Sequence, residues 1–258
     1  MSTGWLKAAG GWRAAAGYAA GLAIGVAAWQ VIGNHSASYV FSPLTATISR
    51  LGQLISSGSL PGALAASFAV YGLGVALAIV AGAAGGLLLA RRALIREALG
   101  PYLVALYAAP MVALIPFLLA LLGFGFWPKV IVVGLFAYFP VHFATQRGAQ
   151  SISSELIDVA RSFRSNERDI WRHVVIPYTL PYLMTGVRQA LARGLVGMIA
   201  GEFFLSAGGL GSLLLTQSEQ FDTAGMLAIT LIITLIGVAL MAVGRFVEAR
   251  FARWRVRS

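Results

Sequence analysis

The stretch ALAASFAVYGLGVALAIVAGAAGGLLLA, residues 63–90, contains no charged residue. It is longer than the about 20 apolar residues that an α-helix needs to cross the hydrocarbon core of a membrane. Its apolar residues are continuous, whereas the strands of a membrane β-barrel alternate apolar and polar residues over about ten positions. Small residues such as Gly82, Gly85 and Gly86 suit close packing between helices. The stretch therefore predicts a spanning helix within a helical bundle.

The composition of the whole chain also indicates a membrane protein. Of its 258 residues, 59% are hydrophobic and 11% are charged, and the mean hydropathy is +0.81. Cysteine is absent, which excludes disulfides and thiolate metal sites. A net charge of +10 would suggest nucleic-acid binding in a soluble protein. Here the positive residues fall between apolar runs, so we expect no nucleic-acid partner.

Six apolar runs of spanning length occur along the chain. We therefore predict an all-α membrane protein with six transmembrane helices, forming a single transmembrane domain over residues 1–258. The predicted spans are residues 15–33, 63–90, 99–122, 127–146, 182–206 and 224–246.

Lysines and arginines are distributed unequally between the two sets of connections. Most of them precede the first span, follow the last one, or lie in residues 91–96 and 147–172. Only Arg50 and Lys129 fall on the opposite side. Because short loops rich in lysine and arginine stay cytoplasmic, both termini and the loop at about residues 147–181 are predicted to be cytoplasmic.

The most highly charged loop segment reads DVARSFRSNERDIWRHVVIPYTLP, residues 158–181, with three acids, four arginines and a histidine. Asn166 precedes a first turn that holds two acids, so we expect its side chain to cap a helix that begins there. We expect Pro177 to interrupt that helix. Residues 154–163 are read as a second short helix, with a bend near Arg164. The segment therefore predicts a helical hairpin that projects into the cytoplasm.

Two interpretations of the hairpin are open from its residues. A basic loop can serve only to orient the chain in the membrane. The caps and prolines instead define a structure, and apolar groups stand among the charges at Ala160, Phe163, Ile170 and Trp171. A solvated loop needs neither feature, so we favour a surface that a second protein binds.

The same segment resembles the cytoplasmic loop motif of the permease subunits of ABC importers. That motif begins with an acid, a small residue and an alanine, continues with three residues and a glycine, and places a proline at the twentieth position. Here Asp158 holds the acid position, and the dipeptide Ile-Pro at 176 and 177 closes the motif. Arg164 replaces the glycine, for which a positive φ would cost about 1 kcal/mol or more.

Three further segments resemble this family in order and spacing. They are APMVALIPFLLALLGFGFWPKVIVVGLFAYFP at 109–140, TGVRQALARG at 185–194 and AGEFFLSAGGLGSLL at 200–214. They are similar to the third, fourth and fifth helices of the binding-protein-dependent permeases that import sulfonates, taurine, nitrate and thiamine precursors. The resemblance covers nearly the whole chain from residue 40 onward.

The resemblance implies a type I ABC-importer bundle in the bacterial inner membrane that carries small, often anionic, organic solutes. It implies four kinds of partner: two copies of an ATPase subunit, a second copy of this chain, a periplasmic or lipoprotein substrate-binding protein, and membrane lipid. The residues that it assigns to ATPase coupling are Asp158, Val159, Ala160, Phe163, Arg164, Asn166, Trp171 and Pro177.

The chain itself offers no nucleotide site. A phosphate-binding loop needs glycines followed by a lysine and a serine or threonine, and neither Lys7 nor Lys129 has that context. We therefore predict that the chain is not an enzyme, and that ATP and Mg are bound by the partner ATPase. No metal site is expected.

Glu202 lies inside the fifth predicted span, where an ionised carboxylate must be paired or hydrated. It is read either as a structural or gating residue, or as a neutral carboxyl used in helix packing. An alternative function follows from it, a proton-coupled secondary transporter with Glu202 as the carrier, although the inverted repeat typical of such proteins is not evident. Arg188 and Arg193 are expected to anchor the cytoplasmic end of this span.

Several aromatic and polar residues are candidates for the translocation pathway. Tyr107, Met111, Phe136 and Tyr138 lie near prolines of the third and fourth spans, where kinks leave backbone carbonyls without hydrogen bonds. Each of these residues, taken singly, is also typical of a packed core. Ser206 belongs to a glycine-rich turn predicted to be external, and His142 is expected to be a packed interface residue. The pathway or gate candidates are Tyr107, Met111, Phe136, Tyr138, Glu202 and Ser206.

Overall fold

The computed structural model of the chain describes residues 4–205 and 208–251, and every regular element within those ranges is helical. A 3-10 turn, Met111–Leu114, precedes α5, and a π-helical turn, Trp171–Val175, precedes α9. The all-α prediction is therefore confirmed for the described residues. The α-helices are α1 (Gly4–His35), α2 (Leu44–Ser56), α3 (Ser59–Arg91), α4 (Ala93–Ala108), α5 (Ile115–Leu122), α6 (Phe126–Gln150), α7 (Ser154–Ser162), α8 (Glu167–Ile170), α9 (Ile176–Leu205), α10 (Leu210–Glu219) and α11 (Thr223–Phe251).

Within the described residues, four helices are long and apolar enough to cross a membrane, and a bent pair could form a fifth span. The four are Ala16–His35, Ser59–Arg91, Phe126–Gln150 and Thr223–Arg250. The bent pair joins Ala93–Ala108 to Met111–Leu122 at an angle of 95°. Pro110 stands at the break, and its ring and missing N–H prevent a helix from running straight through.

The remaining predicted span, 182–206, falls on α9. This helix has 30 residues, so it is about 45 Å long and exceeds the thickness of the hydrocarbon core. Arg188, Arg193 and Glu202 give it three charges, which lower its mean hydropathy below that of the other spans. The count of six spans therefore stays a prediction.

The chain divides into two compact units, and the first comprises Met1–Leu60 with Leu213–Ile232. Gln30 of α1 binds the start of α2, because its side chain accepts from the backbone N–H of Thr45 at 3.1 Å. An ion pair of 2.6 Å joins Arg50 of α2 to Asp222. The side chain of Thr223 donates to the carbonyl oxygen of Tyr39 at 2.9 Å. Polar contacts between distant parts of the sequence thus hold this unit together.

The second unit comprises Pro61–Ser212 with Ile233–Ser258, and it is built around α6. The glycines of α3 allow the two backbones to approach closely. A Cβ on Gly86 would lie 2.6 Å from the carbonyl oxygen of His142, and one on Gly82 would lie 2.9 Å from the Cβ of Val141. On the other side, a Cβ on Gly186 of α9 would lie 2.9 Å from the carbonyl oxygen of Pro140. The predicted role of small residues in helix packing is confirmed.

The prediction that Pro177 interrupts the helix after Asn166 is wrong. The helical path continues from α8 through the π-helical turn into α9. Pro177 is the second residue of α9, which follows the π-helical turn directly, so its missing N–H coincides with a local change in the hydrogen-bond pattern and not with the end of the helix. The second arm of the hairpin therefore runs into the fifth predicted span without a loop between them.

Candidate functional site

The charged hairpin begins with α7 and turns at Arg164. Ser153 caps α7 by accepting from the backbone N–H of Leu156 at 3.5 Å. At the other end, the N–H of Ser165 donates to the carbonyl of Ala160 at 3.2 Å, and that of Arg164 donates to Arg161 at 2.8 Å. These two bonds form a Schellman motif, whose residue after the cap must be left-handed. Arg164 accordingly has a φ of 58°, so the turn lies at the bend predicted near this residue.

The second arm of the hairpin is capped as expected. The side chain of Asn166 accepts from the backbone N–H of Asp169 at 2.9 Å. Arg161 then connects the two arms, with a nitrogen 3.2 Å from a carboxylate oxygen of Glu167 and another 3.8 Å from Asp158. All three side chains are more than half exposed, so these ion pairs orient the arms but contribute little stability.

The apolar residues of the hairpin differ in exposure. Phe163 is 82% exposed, and Val159 and Leu156 are also open to the surroundings. Ala160 is partly buried and Pro177 is exposed. Ile170, which we expected to be offered to a partner, is buried, and that expectation is wrong because α8 packs this side chain inward.

Trp171 is half-buried, and its ring lies under the guanidinium of Arg91 at 5.3 Å. A groove of about 490 Å³ lies at the base of the hairpin, with Leu156, Val174, Pro177 and Leu180 among its lining residues. The exposed apolar surface of the hairpin is therefore concentrated on α7, its turn and the start of α9.

Glu202 is the centre of a buried polar cluster. The carboxylate is 1% exposed. One of its oxygens accepts from the hydroxyl of Ser67 at 2.6 Å, and the other accepts from the backbone N–H of Gly211 at 2.8 Å. Ser67 in turn accepts from the N–H of Leu210 at 2.8 Å. Lys129, itself buried, acts on the carboxylate as a positive neighbour.

This cluster fixes the first turn of α10. The N–H groups of Leu210 and Gly211 have no acceptor within their own helix, and Ser67 and Glu202 supply one for each. The carboxylate also lies at the positive end of the helix dipole. Gly209 has a φ of 109°, and a Cβ there would overlap the carboxylate of Glu202. Ser206 lies outside the described residues.

A pocket of about 270 Å³ opens beside the break between α4 and α5. It brings together three of the predicted pathway residues, Tyr107, Met111 and Phe136. Phe139 and Arg193 also line it, with the guanidinium of Arg193 located 5.5 Å from the centre of the Tyr107 ring. The pocket is thus lined by aromatic and aliphatic residues and a single cationic group.

Tyr138 does not line this pocket. Its hydroxyl lies 3.1 Å from Nδ1 of His142, and the two rings stack at 5.3 Å. His142 is fully buried, as expected for a packed residue. Within the described residues, no three or more histidines, cysteines or acids form a cluster that could hold a metal.

Several residues in these clusters could not be identified from the sequence. Ser67 is 135 residues from Glu202, and Tyr107 belongs to a different helix from Arg193. Arg188 forms an ion pair of 2.9 Å with Glu248, and its expected role as an anchor at the membrane interface stays a prediction. A charged residue inside an apolar run indicates that a polar partner lies beside it, but the sequence does not identify that partner.

Comparison with known proteins gives a family match over most of the chain. Residues 74–253 match the family described as "Binding-protein-dependent transport system inner membrane component". The formylaminopyrimidine transport permease protein ThiX of Halalkalibacterium halodurans is 30% identical over 195 residues, which cover 76% of this chain and 78% of that protein. The nitrate import permease protein NrtB of Leptolyngbya laminosa is 26% identical, over 72% of this chain and 67% of that protein.

Solved structures with the same fold include a chain of the MetNI methionine ABC transporter in an inward-facing conformation. The TM-score is 0.66, with 17% sequence identity, and the alignment covers 74% of this chain and 95% of that chain. A chain of an amino acid ABC transporter solved with histidines has a TM-score of 0.61 at 16% identity. At this level of identity, the structural similarity supports the fold alone.

Proposed function

We propose that this chain, which belongs to the binding-protein-dependent transport system inner membrane components, pairs with a second copy of itself to enclose a translocation pathway. It is a multi-pass inner-membrane permease subunit of an ABC importer and not the subunit that hydrolyses ATP. Two copies of a separate ATPase bind ATP and Mg, and a periplasmic or lipoprotein binding protein delivers the solute. Both termini and the hairpin lie in the cytoplasm.

One observation carries the coupling part of this proposal. Phe163 is 82% exposed at the tip of a hairpin whose shape is fixed by two caps and a Schellman turn. An aromatic ring adds nothing to bundle packing at that position, and a protein partner that buries it gains apolar contact. The coupling residues are therefore proposed as Asp158, Val159, Ala160, Phe163, Arg164, Asn166, Trp171 and Pro177.

The proton-coupled alternative lacks a supporting observation. Both carboxylate oxygens of Glu202 already accept hydrogen bonds from Ser67 and Gly211. A carrier of protons across the membrane would have to break these bonds in each cycle. We propose instead that Glu202 holds the first turn of α10, and that Tyr107, Met111 and Phe136 line the pathway, with Tyr138 and Ser206 as further candidates. The cargo is a small organic solute.

Reconstitution tests the energy source. The chain is placed in liposomes with the ATPase and binding protein encoded beside it, and uptake is compared with ATP, with a hydrolysis-dead ATPase, and with a pH gradient alone. We expect uptake only with ATP and the active ATPase. Uptake driven by the gradient in the chain alone would contradict the proposal and restore the secondary-transporter interpretation.

A substitution tests the docking surface. Phe163→Asp places a charge where the partner is expected to bury a ring, so retention of the ATPase during purification should fall at least about tenfold while the membrane domain stays folded. Phe221 is a matched control, because it is 76% exposed and is predicted to lie on the opposite side. Phe221→Asp should retain the ATPase. Equal retention by both variants would exclude the hairpin as the docking site.

A further inference from the structure

We infer that Arg193 is an anion-binding residue of the translocation pathway, and that the pocket beside the α4–α5 break takes a small organic anion. The acid group of the solute pairs with the guanidinium, and its apolar body packs among Tyr107, Met111 and Phe136. The inference rests on the proposed function, because it names the class of solute that the permease carries.

The first argument is the charge balance of α9 and its neighbours. Arg188, on the same helix, is paired, because it lies 2.9 Å from Glu248. Arg193 differs, since no carboxylate in the part of the chain that the structure describes lies within ion-pairing distance of it. Its contact is the face of the Tyr107 ring. A guanidinium inside the membrane that has no counter-charge is energetically unfavourable unless it binds an anion or water.

The second argument is the position of Arg193 along α9. It stands 12 residues before Leu205, the last residue of the helix, which corresponds to about 18 Å. The middle of the hydrocarbon core is about 15 Å from each surface, so the side chain begins near the middle of the predicted span 182–206. The expectation that Arg193 anchors the cytoplasmic end of the span is therefore replaced by a role within the pathway.

The third argument is the chemistry of the pocket. A guanidinium donates two parallel hydrogen bonds to a carboxylate, sulfonate or phosphate group. Met111 and Val112, which begin the second half of the broken helix, also belong to the lining, and a helix N-terminus favours negative charge. Aromatic faces accommodate the rest of a small molecule, and a volume of about 270 Å³ limits its size. A cationic solute would be repelled at this point.

The absence of native cysteine allows a direct test. Val112 lines the pocket and is 45% exposed. The purified full-length Val112→Cys protein is labelled with anionic 2-sulfonatoethyl methanethiosulfonate and with the cationic trimethylammonioethyl reagent. We expect the ratio of anionic to cationic rates to fall roughly tenfold when Arg193→Gln is added, and to be preserved by Arg193→Lys. An unchanged ratio in the glutamine variant would overturn the inference.

Two controls complete this test. Leu94→Cys, at an 83% exposed position near the other end of α4, should show the same ratio with and without Arg193→Gln. Benzoate should slow the labelling of Val112→Cys, while benzyl alcohol at equal concentration should not. Equal protection by the two compounds would show an apolar pocket without anion selection. Because the labelling needs neither ATP nor the ATPase, failure of ATP-driven uptake does not affect its outcome.

Discussion

Glu202 and Arg161 each connect two segments through polar contacts, but Glu202 is 1% exposed whereas the side chain of Arg161 is 58% exposed. Glu202 has its oxygens occupied by donors from α3 and α10, and a lysine lies nearby. Arg161 forms ion pairs with Asp158 and Glu167 at the exposed surface of the hairpin, which also carries the exposed Phe163. The first cluster is complete within the chain, and the second leaves apolar surface for another molecule.

The difference shows how a permease can divide its polar residues between two tasks. A buried polar group is tolerated only when its hydrogen-bond partners are in place, so the Glu202 cluster must be formed in the folded subunit itself. Exposed ion pairs contribute little to stability, so the hairpin can be altered without unfolding the bundle. Substitutions in the two regions should therefore differ in what they damage.

The largest effect is expected from Glu202→Ala. It leaves the hydroxyl of Ser67 and the N–H of Gly211 in a buried site without their acceptor, which costs about 3–5 kcal/mol. The melting temperature of the purified protein in detergent should fall by roughly 10 °C. Glu219→Ala is the control, because Glu219 is exposed on the same short helix and its removal should change stability by about 0.5 kcal/mol or less.

Glu202→Gln sharpens the same comparison, because an amide offers one oxygen in place of two. We expect a melting temperature between those of the parent and the alanine variant. Equal melting temperatures for the parent and Glu202→Ala would show that the cluster does not stabilise the subunit, and would reopen a transport role for the carboxylate.

A smaller and local effect is expected from Asn166→Ala. The substitution removes the acceptor for the N–H of Asp169, which weakens the helix start by about 1 kcal/mol. Hydrogen exchange in the peptide over residues 167–173 should become roughly fivefold faster, while the melting temperature of the membrane domain stays unchanged. A lowered melting temperature would contradict the view that the hairpin is independent of bundle stability.

The smallest effect, of opposite sign, is expected from Arg164→Gly. Glycine adopts a φ of 58° without the steric penalty of a Cβ, so the Schellman turn should gain about 1 kcal/mol. The amide protons of Arg164 and Ser165, which donate in that turn, should exchange more slowly. Arg164→Ala removes the charge but keeps the Cβ, and it should exchange as the parent does. Slowing in the alanine variant would assign the effect to charge.

The two regions also differ in how well the sequence predicted them. The hairpin was predictable because its signals are local: Asn166 caps an amide three residues ahead, and the bend follows α7 directly. Two expectations for the hairpin were wrong. Sequence alone does not separate a proline that ends a helix from one that the helical path passes through, as at Pro177. It also does not show which apolar residue of α8 packs inward, as Ile170 does.

The Glu202 cluster and the Arg193 pocket were predicted only in part. A charge inside an apolar run signals a buried partner, but the identity of that partner depends on which helices pack together. Ser67 and Tyr107 lie on other helices, and nothing in their neighbouring residues marks them. Helix packing through the glycines of α3 was predictable, whereas the register that aligns these side chains was not.

The ion pair between Arg50 and Asp222 has a consequence for the time course of synthesis. Its two residues are 172 positions apart, and a bacterial ribosome adds roughly 5–20 residues per second. During translation, Asp222 is therefore added about ten to thirty seconds after Arg50, and α2 lacks its acidic partner during that time. A chain that stops before residue 222 keeps that positive charge unpaired, and the unpaired arginine distinguishes an unfinished subunit from a complete one.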